Sequence, residues 1–338
     1  MTAPGCFHKI KRVKALVTGA TGFIGSHLVG RLLRDPECEV LALVRDPSRA
    51  VRLPRSERLQ FIQGDLFHLP GLPPDIETVY HLAGVTKAPK AEMYYTVNRD
   101  GTASLLEAMA ENGLRARLIY LSSAAAGGPA PLARPRLEED EPAPVSPYGR
   151  SKLEAERAVL AAKDRFPAVI LRPPAVYGPA DMDFLEYFRL VQKGLVPVLG
   201  SRRRYLNVIY VRDLVDALLL AAAAETESGQ VFNVADPKPL SWEELGRLTA
   251  RLLGCRARVV RIPSWGAFLV AVCVQAAGTL SGRLSAVNLS KFREMLSEGW
   301  VLDVSKAGRV IGFKARTPVE KGLTETLDWY RKEGLLQG

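Results

Sequence analysis

Cysteine is scarce in this chain: four residues in 338, Cys6, Cys38, Cys255 and Cys273, with no CxxC among them. Scattered in this way they exclude a disulfide framework and a zinc site, and they suit reduced thiols in a cytoplasmic protein. Histidine is equally rare, at four (His8, His27, His68, His81), and the spacing fits no metal-ligand pattern, so no metal is expected. Aromatics make up 7% of the chain and do not interleave with basic residues, so no nucleic-acid partner is expected. The most apolar stretch, Trp265–Leu280, falls short of the ~20 residues that span a bilayer. It is read as a buried helix in preference to an interfacial or lipid-facing element. No signal peptide is expected, because the basic residues 1–14 lead into strand-like sequence without a cleavage site.

What is present is enough apolar material for a sizeable core, 47% of residues against 24% charged. The length suits two domains, or one large domain with an insertion. The formal net charge of +10 favours anionic partners: nucleotide cofactors, phosphorylated substrates or an acidic membrane surface. An ordinary basic surface explains the same number.

Short apolar runs at Lys14–Thr18, Glu39–Val44, Leu59–Ile62, Thr78–Leu82, Arg117–Leu121 and Ala168–Leu171 alternate with helical patterns at Phe23–Leu33, Met93–Asn112 and Pro147–Phe166. Strands separated by crossover helices predict an α/β fold with a doubly wound parallel sheet. After Arg172-Pro-Pro174 the rhythm breaks. The expected organisation is a Rossmann-type cofactor domain over 10–175, with 205–235 partly returning to it. A smaller, mostly helical substrate lobe is expected over 176–204 and 236–333. A helix over Phe184–Lys193 and a β-like run at Val259–Ile262 belong to that lobe, and Glu138–Glu141 reads as a solvated loop.

Thr18-Gly-Ala-Thr-Gly-Phe-Ile-Gly25 follows the first strand and opens the first helix. Glycines at 19, 22 and 25 permit a tight turn, close approach of backbone to a pyrophosphate, and close helix–sheet packing, while the helix N-terminus offers free N–H groups. At the end of the second strand a carboxylate would select the free ribose hydroxyl of NAD, and an arginine the 2′-phosphate of NADP. Arg45 stands there, with Asp46 one residue on and suited to cap a helix, so NADP(H) is preferred and NAD(H) is the second choice.

Tyr148 and Lys152, four residues apart, share one helix face. An ammonium beside a phenol favours the phenolate, which makes Tyr148 a proton donor or acceptor for an alcohol/carbonyl couple, with Ser123 as a second hydrogen-bonding group.

Together these residues resemble the extended short-chain dehydrogenase/reductase family, also called the NAD-dependent epimerase/dehydratase family, over nearly the whole chain. The resemblance rests on TGATGFIG at 18–25, Gly64-Asp-Leu66, His81-Leu-Ala-Gly84, Asn98 in VNRDGT, Leu121-Ser-Ser-Ala124, Tyr148-xxx-Lys152 and Arg172-Pro-Pro-Ala-Val-Tyr-Gly178. Later matches are Tyr210-Val-Arg-Asp-Leu214, Val231-Phe-Asn-Val234, Gly312-Phe313 and the stretch from Gly322 to Tyr330. The 25 residues between Ser123 and Tyr148 select Ser123 over Ser122. The resemblance implies Ser123, Tyr148 and Lys152 as catalytic residues. It implies cofactor contacts from Gly19, Thr21, Gly22, Phe23, Ile24, Gly25, Arg45, Asp65, Leu66, Leu82, Ala83, Gly84, Asn98, Tyr148, Lys152, Pro173 and Val176.

The implied activity is hydride transfer between NADP(H) and a small molecule carrying a hydroxyl or carbonyl group. The dehydratases it resembles carry an acidic pair after the serine or threonine. Here that stretch reads Ala124-Ala-Ala126, which argues against dehydration. An NDP-sugar epimerase using the same site, and a non-catalytic NADP(H)-binding sensor or structural subunit, are the alternatives. Arg202-Arg-Arg204 suits a diphosphate clamp or a solvated basic loop. The apolar Trp265–Leu280 leans the resemblance toward the 3β-hydroxysteroid dehydrogenase and dihydroflavonol reductase-like branch. The family also implies a homodimer, through Met93–Asn112 and Pro147–Phe166.

Overall fold

Runs that are apolar almost throughout, such as Cys38–Val44, are what a strand buried on both faces requires. The computed structural model describes residues 13–263, 265–266 and 294–337. Its first strands are β1 (Val13–Thr18), β2 (Cys38–Val44), β3 (Leu59–Gln63), β4 (Thr78–His81), β5 (Arg117–Leu121) and β6 (Ala168–Arg172). Then follow β7 (Ala175–Tyr177), β8 (Leu195–Leu199), β9 (Tyr205–Leu206), β10 (Val208–Tyr210), β11 (Gln230–Asn233), β12 (Leu240–Ser241) and β13 (Arg258–Ile262).

Seven of these form one parallel sheet in the order β11-β6-β5-β4-β1-β2-β3. Helix α1 (Phe23–Leu32) packs one face through Leu28, Val29 and Leu32. After β4, α2 (Ala91–Tyr94) leads to α3 (Gly101–Glu111), which packs the other face through Leu105, Leu106 and Met109. Next come α4 (Ala124–Gly127) and α5 (Pro147–Ala161), then α6 (Leu185–Gln192), α7 (Val211–Ala223) and α8 (Trp242–Leu252). Helix α5 joins α3 on its face, and α7 joins α1. The sheet is therefore doubly wound, and its strand order reverses between β1 and β4, which opens a crevice at their C-terminal ends. Among the described residues, Ser305–Ile311 and Val319–Lys332 are helices that follow α8 in the chain. Among the described residues no helix is long and apolar enough to cross a membrane. Beyond Gly266, the apolar Trp265–Leu280 lies outside the described residues.

Three expectations are corrected. The helix expected over Met93–Asn112 is broken by a π-helical turn at Tyr95–Asp100. The widened turn coincides with Asn98, whose amide is tied to the Val85 backbone in both directions. The loop at Glu138–Glu141 is not wholly solvated: Glu138 is buried and accepts a hydrogen bond from Asn233 N at 2.8 Å. Burial raises its carboxyl pKa against the pull of that bond. Strand β8 was also absent from the expectation, because Pro197 sits at its centre. It is tolerated because β8 pairs with β13 alone, in a two-stranded sheet.

One buried ion pair fastens α5 to the sheet. Glu156 on α5 accepts from Arg172 Nε at 2.9 Å and Nη2 at 2.6 Å, and from the Ser122 hydroxyl at the end of β5. Glu156 is 1% exposed and Arg172 4%, so neither charge has water to fall back on. Glu156→Gln leaves the guanidinium buried without its countercharge and should lower stability by about 3–5 kcal/mol. Urea unfolding midpoints read this directly; an unchanged midpoint would show that the pair carries no anchoring role.

Candidate active site

The site assembles where β1, β4 and β5 end. Gly19 has φ +70°, and a Cβ there would lie 2.8 Å from Ala83 N, so the turn after β1 admits only glycine. A Cβ on Gly25 would lie 2.1 Å from Gly19 O, which is how closely α1 approaches the loop. Gly22 caps α1 without any side-chain hydrogen bond, so the first-turn N–H groups are left for an external acceptor. A dinucleotide pyrophosphate fits this cradle of Gly19, Thr21, Gly22, Phe23, Ile24 and Gly25. Phe23 and Ile24 pack in the same cluster as Val176, so that residue also borders the start of α1.

Beneath the loop runs a chain of buried hydrogen bonds with a fixed direction. Thr102 Oγ1 donates to Asn98 O at 2.6 Å, since a carbonyl can only accept. Its partner His81 Nε2, 2.9 Å away, must therefore carry the proton. His81 Nδ1 is then the acceptor, from Thr18 Oγ1 at 2.7 Å, and Thr18 Oγ1 accepts from Ala83 N at 3.2 Å. Burial drives the imidazole pKa down to about 3, with the Lys152 charge adding to the effect, so His81 stays neutral. At the other end Asn98 donates to Ser151 Oγ at 2.9 Å and to Val85 O at 3.1 Å, and it accepts from Val85 N at 2.8 Å. Gly84 lies against the Asn98 amide and the Lys152 ammonium, and Leu82 N bonds to Thr18 O.

Tyr148 stands in the first turn of α5, which Ser146 caps by accepting from Gly149 N at 3.0 Å. The Ser123 hydroxyl lies close enough to the Tyr148 phenol to pull its pKa down and, as N-cap of α4, accepts from Ala125 N at 3.2 Å. Ser122 points away, to Glu156. Lys152 Nζ donates to Leu121 O at 2.7 Å and lies 4.4 Å from the centre of the Tyr120 ring. Ala124 N bonds to Pro173 O at 2.8 Å, which brings the start of the Arg172-Pro-Pro turn to the same point. Among the described residues no cluster of His, Cys, Asp and Glu could hold a metal.

The electrostatics differ from the sequence expectation. Burial pushes the Tyr148 phenol up to about 12, against the pull of the nearby Ser123 hydroxyl, with Glu294 and Asp183 adding to the rise. Burial also pushes Lys152 down to about 7, opposed by Glu156. Lys152 does not depress the phenol here, because its ammonium is directed at a carbonyl and an aromatic face, and desolvation dominates both groups.

Farther out, Arg45 is exposed at the end of β2. Asp46 Oδ1 is taken up by Ser48, accepting from its N–H at 3.0 Å and its hydroxyl at 2.6 Å. Asp65 Oδ1 accepts from Phe67 N and His68 N at 2.8 and 2.9 Å, and these bonds and the neighbouring imidazole lower its pKa against a desolvation penalty. Leu66 is buried against Gly101. Across the mouth, Lys87 pairs with Asp183 at 2.5 Å. Arg204 of the basic loop is used internally, on Leu199 O and Leu296 O, whereas Arg202 and Arg203 are exposed.

Several neighbours were not singled out from sequence: Thr18, Thr102, Ser146, Glu156 and Glu294, whose Oε1 accepts from the Ser146 hydroxyl at 2.5 Å. Two had a legible signal. Glu156 is eight residues from Tyr148 and so on the face of Lys152, and Ser146-Pro147 is a helix-start signature.

The profile of the NAD dependent epimerase/dehydratase family matches residues 15–235. The ceramide reductase of Caulobacter vibrioides is 33% identical over 326 residues, covering 95% of this chain and 95% of its own. The UDP-glucose 4-epimerase of Vibrio cholerae is 30% identical over 92% of this chain and 93% of its own. Among solved structures, MoeE5 in complex with UDP-glucose and NAD matches with a TM-score of 0.74 and 30% identity, over 95% of this chain and 99% of that one.

The displaced lysine gives a pH signature. A folded pKa of about 7 against an unfolded value near ~10.4 means that the unfolded chain binds more protons between those limits. The stabilisation is complete above the upper limit and is lost as pH falls to the lower one. Stability should therefore rise by about 2 kcal/mol from pH 7 to 8.5, and Lys152→Met should flatten the slope. Urea midpoints at the two pH values check both; a slope that persists in Lys152→Met would assign it to another group.

Proposed function

The chain belongs to the NAD-dependent epimerase/dehydratase family of extended short-chain dehydrogenase/reductase enzymes, and on that footing we propose that it is an NADP(H)-linked oxidoreductase for a secondary alcohol/ketone couple. The observation that carries this reading is the approach of the Ser123 hydroxyl to the Tyr148 phenol, with Lys152 on the same face of α5 and only alanine at 124–126. When bound, the reduced nicotinamide supplies the hydride. Tyr148 gives its phenolic proton to the carbonyl oxygen as the new C–H bond forms, and Ser123 hydrogen-bonds the same oxygen. Lys152 and Asn98 hold the cofactor side of the site. With no carboxylate after Ser123, nothing there removes a carbon-bound proton or protonates a leaving hydroxyl.

The cofactor preference rests on Arg45 and Asp46. Asp46 has one oxygen committed to Ser48, while the Arg45 guanidinium is exposed at the turn that meets the ribose. The ceramide reductase relative supports a long-chain amide lipid of the ceramide type as the ketone substrate. The epimerase relative and the exposed Arg202 and Arg203 favour the second reading, a nucleotide-sugar epimerase.

Three measurements test the proposal. NADPH consumption with a keto-ceramide, and none with nucleotide sugars, is expected; interconversion of UDP-sugars without net cofactor change would select the second reading. Tyr148→Phe should lower kcat by about 10²–10⁴-fold and leave NADPH affinity intact. Turnover retained in that variant would place the proton donor elsewhere. Arg45→Asp should weaken NADPH binding by about 10–100-fold and leave NADH binding unharmed; an unchanged preference would refute the assignment of Arg45.

A further inference from the structure

The small sheet of β8 and β13 has one packed face and one partly exposed face. Val196, Val198 and Val259 turn inward onto Val191 of α6 and Ala250 of α8. Alternation along the strands then places Leu195, Pro197 and Leu199, paired in register with Arg258, Val260 and Ile262, on the opposite face, where the Leu199–Ile262 end packs with Leu296 and the Leu195–Val260 end is open. There Leu195 is 44% exposed and Val260 41%, and three residues past the end of β13 Trp265 is 70% exposed. Exposed aliphatics at one end of a two-stranded sheet, with a tryptophan just past its last strand, are one sign of a docking surface.

Its surroundings say what docks. Lys193, Arg256 and Arg258 are exposed beside the row, and Arg202 and Arg203 follow β8. Among the described residues, no carboxylate pairs with Lys193, Arg202, Arg256 or Arg258. The nearby acids are already engaged: Glu243 with Arg247 and Arg261 at 3.0 and 2.8 Å, and Glu244 with the Ser241 cap. Unpaired cations, exposed aliphatics and a tryptophan together match the chemistry of a membrane–water interface, where cations meet anionic headgroups and indole rings sit at headgroup depth. Nucleic acid would use the cations but leave Leu195, Val260 and Trp265 without a partner.

We infer that the exposed β8–β13 face, with Lys193, Arg256, Arg258 and Trp265, docks the protein on the surface of an anionic phospholipid bilayer. The inference stands on this surface alone and does not depend on which substrate the site takes. It goes beyond the composition, in which an acidic membrane surface is one of several anionic partners and an ordinary basic surface explains the same charge.

The test is sedimentation of the full chain with phosphatidylcholine vesicles made with and without phosphatidylglycerol. Binding is expected only to the anionic vesicles and should weaken as salt rises. Each cation removed should lower the partition coefficient about fivefold, so Arg256→Gln/Arg258→Gln should lower it about 25-fold. Val260→Asp should also reduce binding. All of these variants should keep the wild-type melting temperature and NADPH affinity, because the residues are exposed and remote from the glycine loop. Equal binding to both vesicle types, or a double variant that binds as the wild type does, overturns the inference. So does a double variant that loses an RNA mobility shift while its vesicle binding is unaltered.

Discussion

The Glu156–Arg172 ion pair is the constraint on which the reactive face of this protein depends. Tyr148, Lys152 and Glu156 recur every four residues along α5, so fixing the third fixes the height and rotation of the first two. Arg172 closes the last turn of β6, and Ser122 closes β5, so the same carboxylate spans two strand ends and a helix. A bidentate guanidinium–carboxylate fork sets orientation as well as distance, which a single apolar contact would not do. Ser123, the next residue after Ser122, is thereby brought to the phenol.

Burial, more than pairing, governs the charges at this site. The phenol and the ammonium are both moved toward their neutral forms, in opposite directions on the pH scale. Such displacement is typical of groups held ready for proton transfer. It also follows from geometry: the lysine reaches under the sheet edge to Leu121 O, and this leaves it little water. The sequence argument, which treated the two residues as an isolated pair on a helix face, had no means of including that carbonyl.

Much of the fold was legible because buried parallel strands leave unbroken apolar runs, and because the glycine loop places its neighbours by steric necessity. Val40–Val44 and Gly19 are examples: each permits few alternatives. The features that escaped are those decided by tertiary partners. The π-helical turn at Tyr95–Asp100 depends on Val85, and the burial of Glu138 depends on Asn233, 95 residues away. Strand β8 was obscured by a proline that only its lack of a second neighbour makes harmless. At the site, Ser123, Tyr148 and Lys152 could be named from spacing, but what holds them in place, such as Leu121 O on Lys152 and Glu294 on the Ser146 cap of α5, comes from contacts that no local pattern flags.

The buried chain from Ala83 through Thr18, His81 and Thr102 to Asn98 has a polarity that bears on proton traffic. A proton wire runs in reverse by turning every donor into an acceptor. Here one end is a backbone N–H that cannot accept, and the other is a carbonyl that has nothing to give. The chain is therefore a diode without a current: it fixes orientation and conducts nothing. The interior of the sheet thus holds His81 in one tautomer and gives a proton no path through that chain.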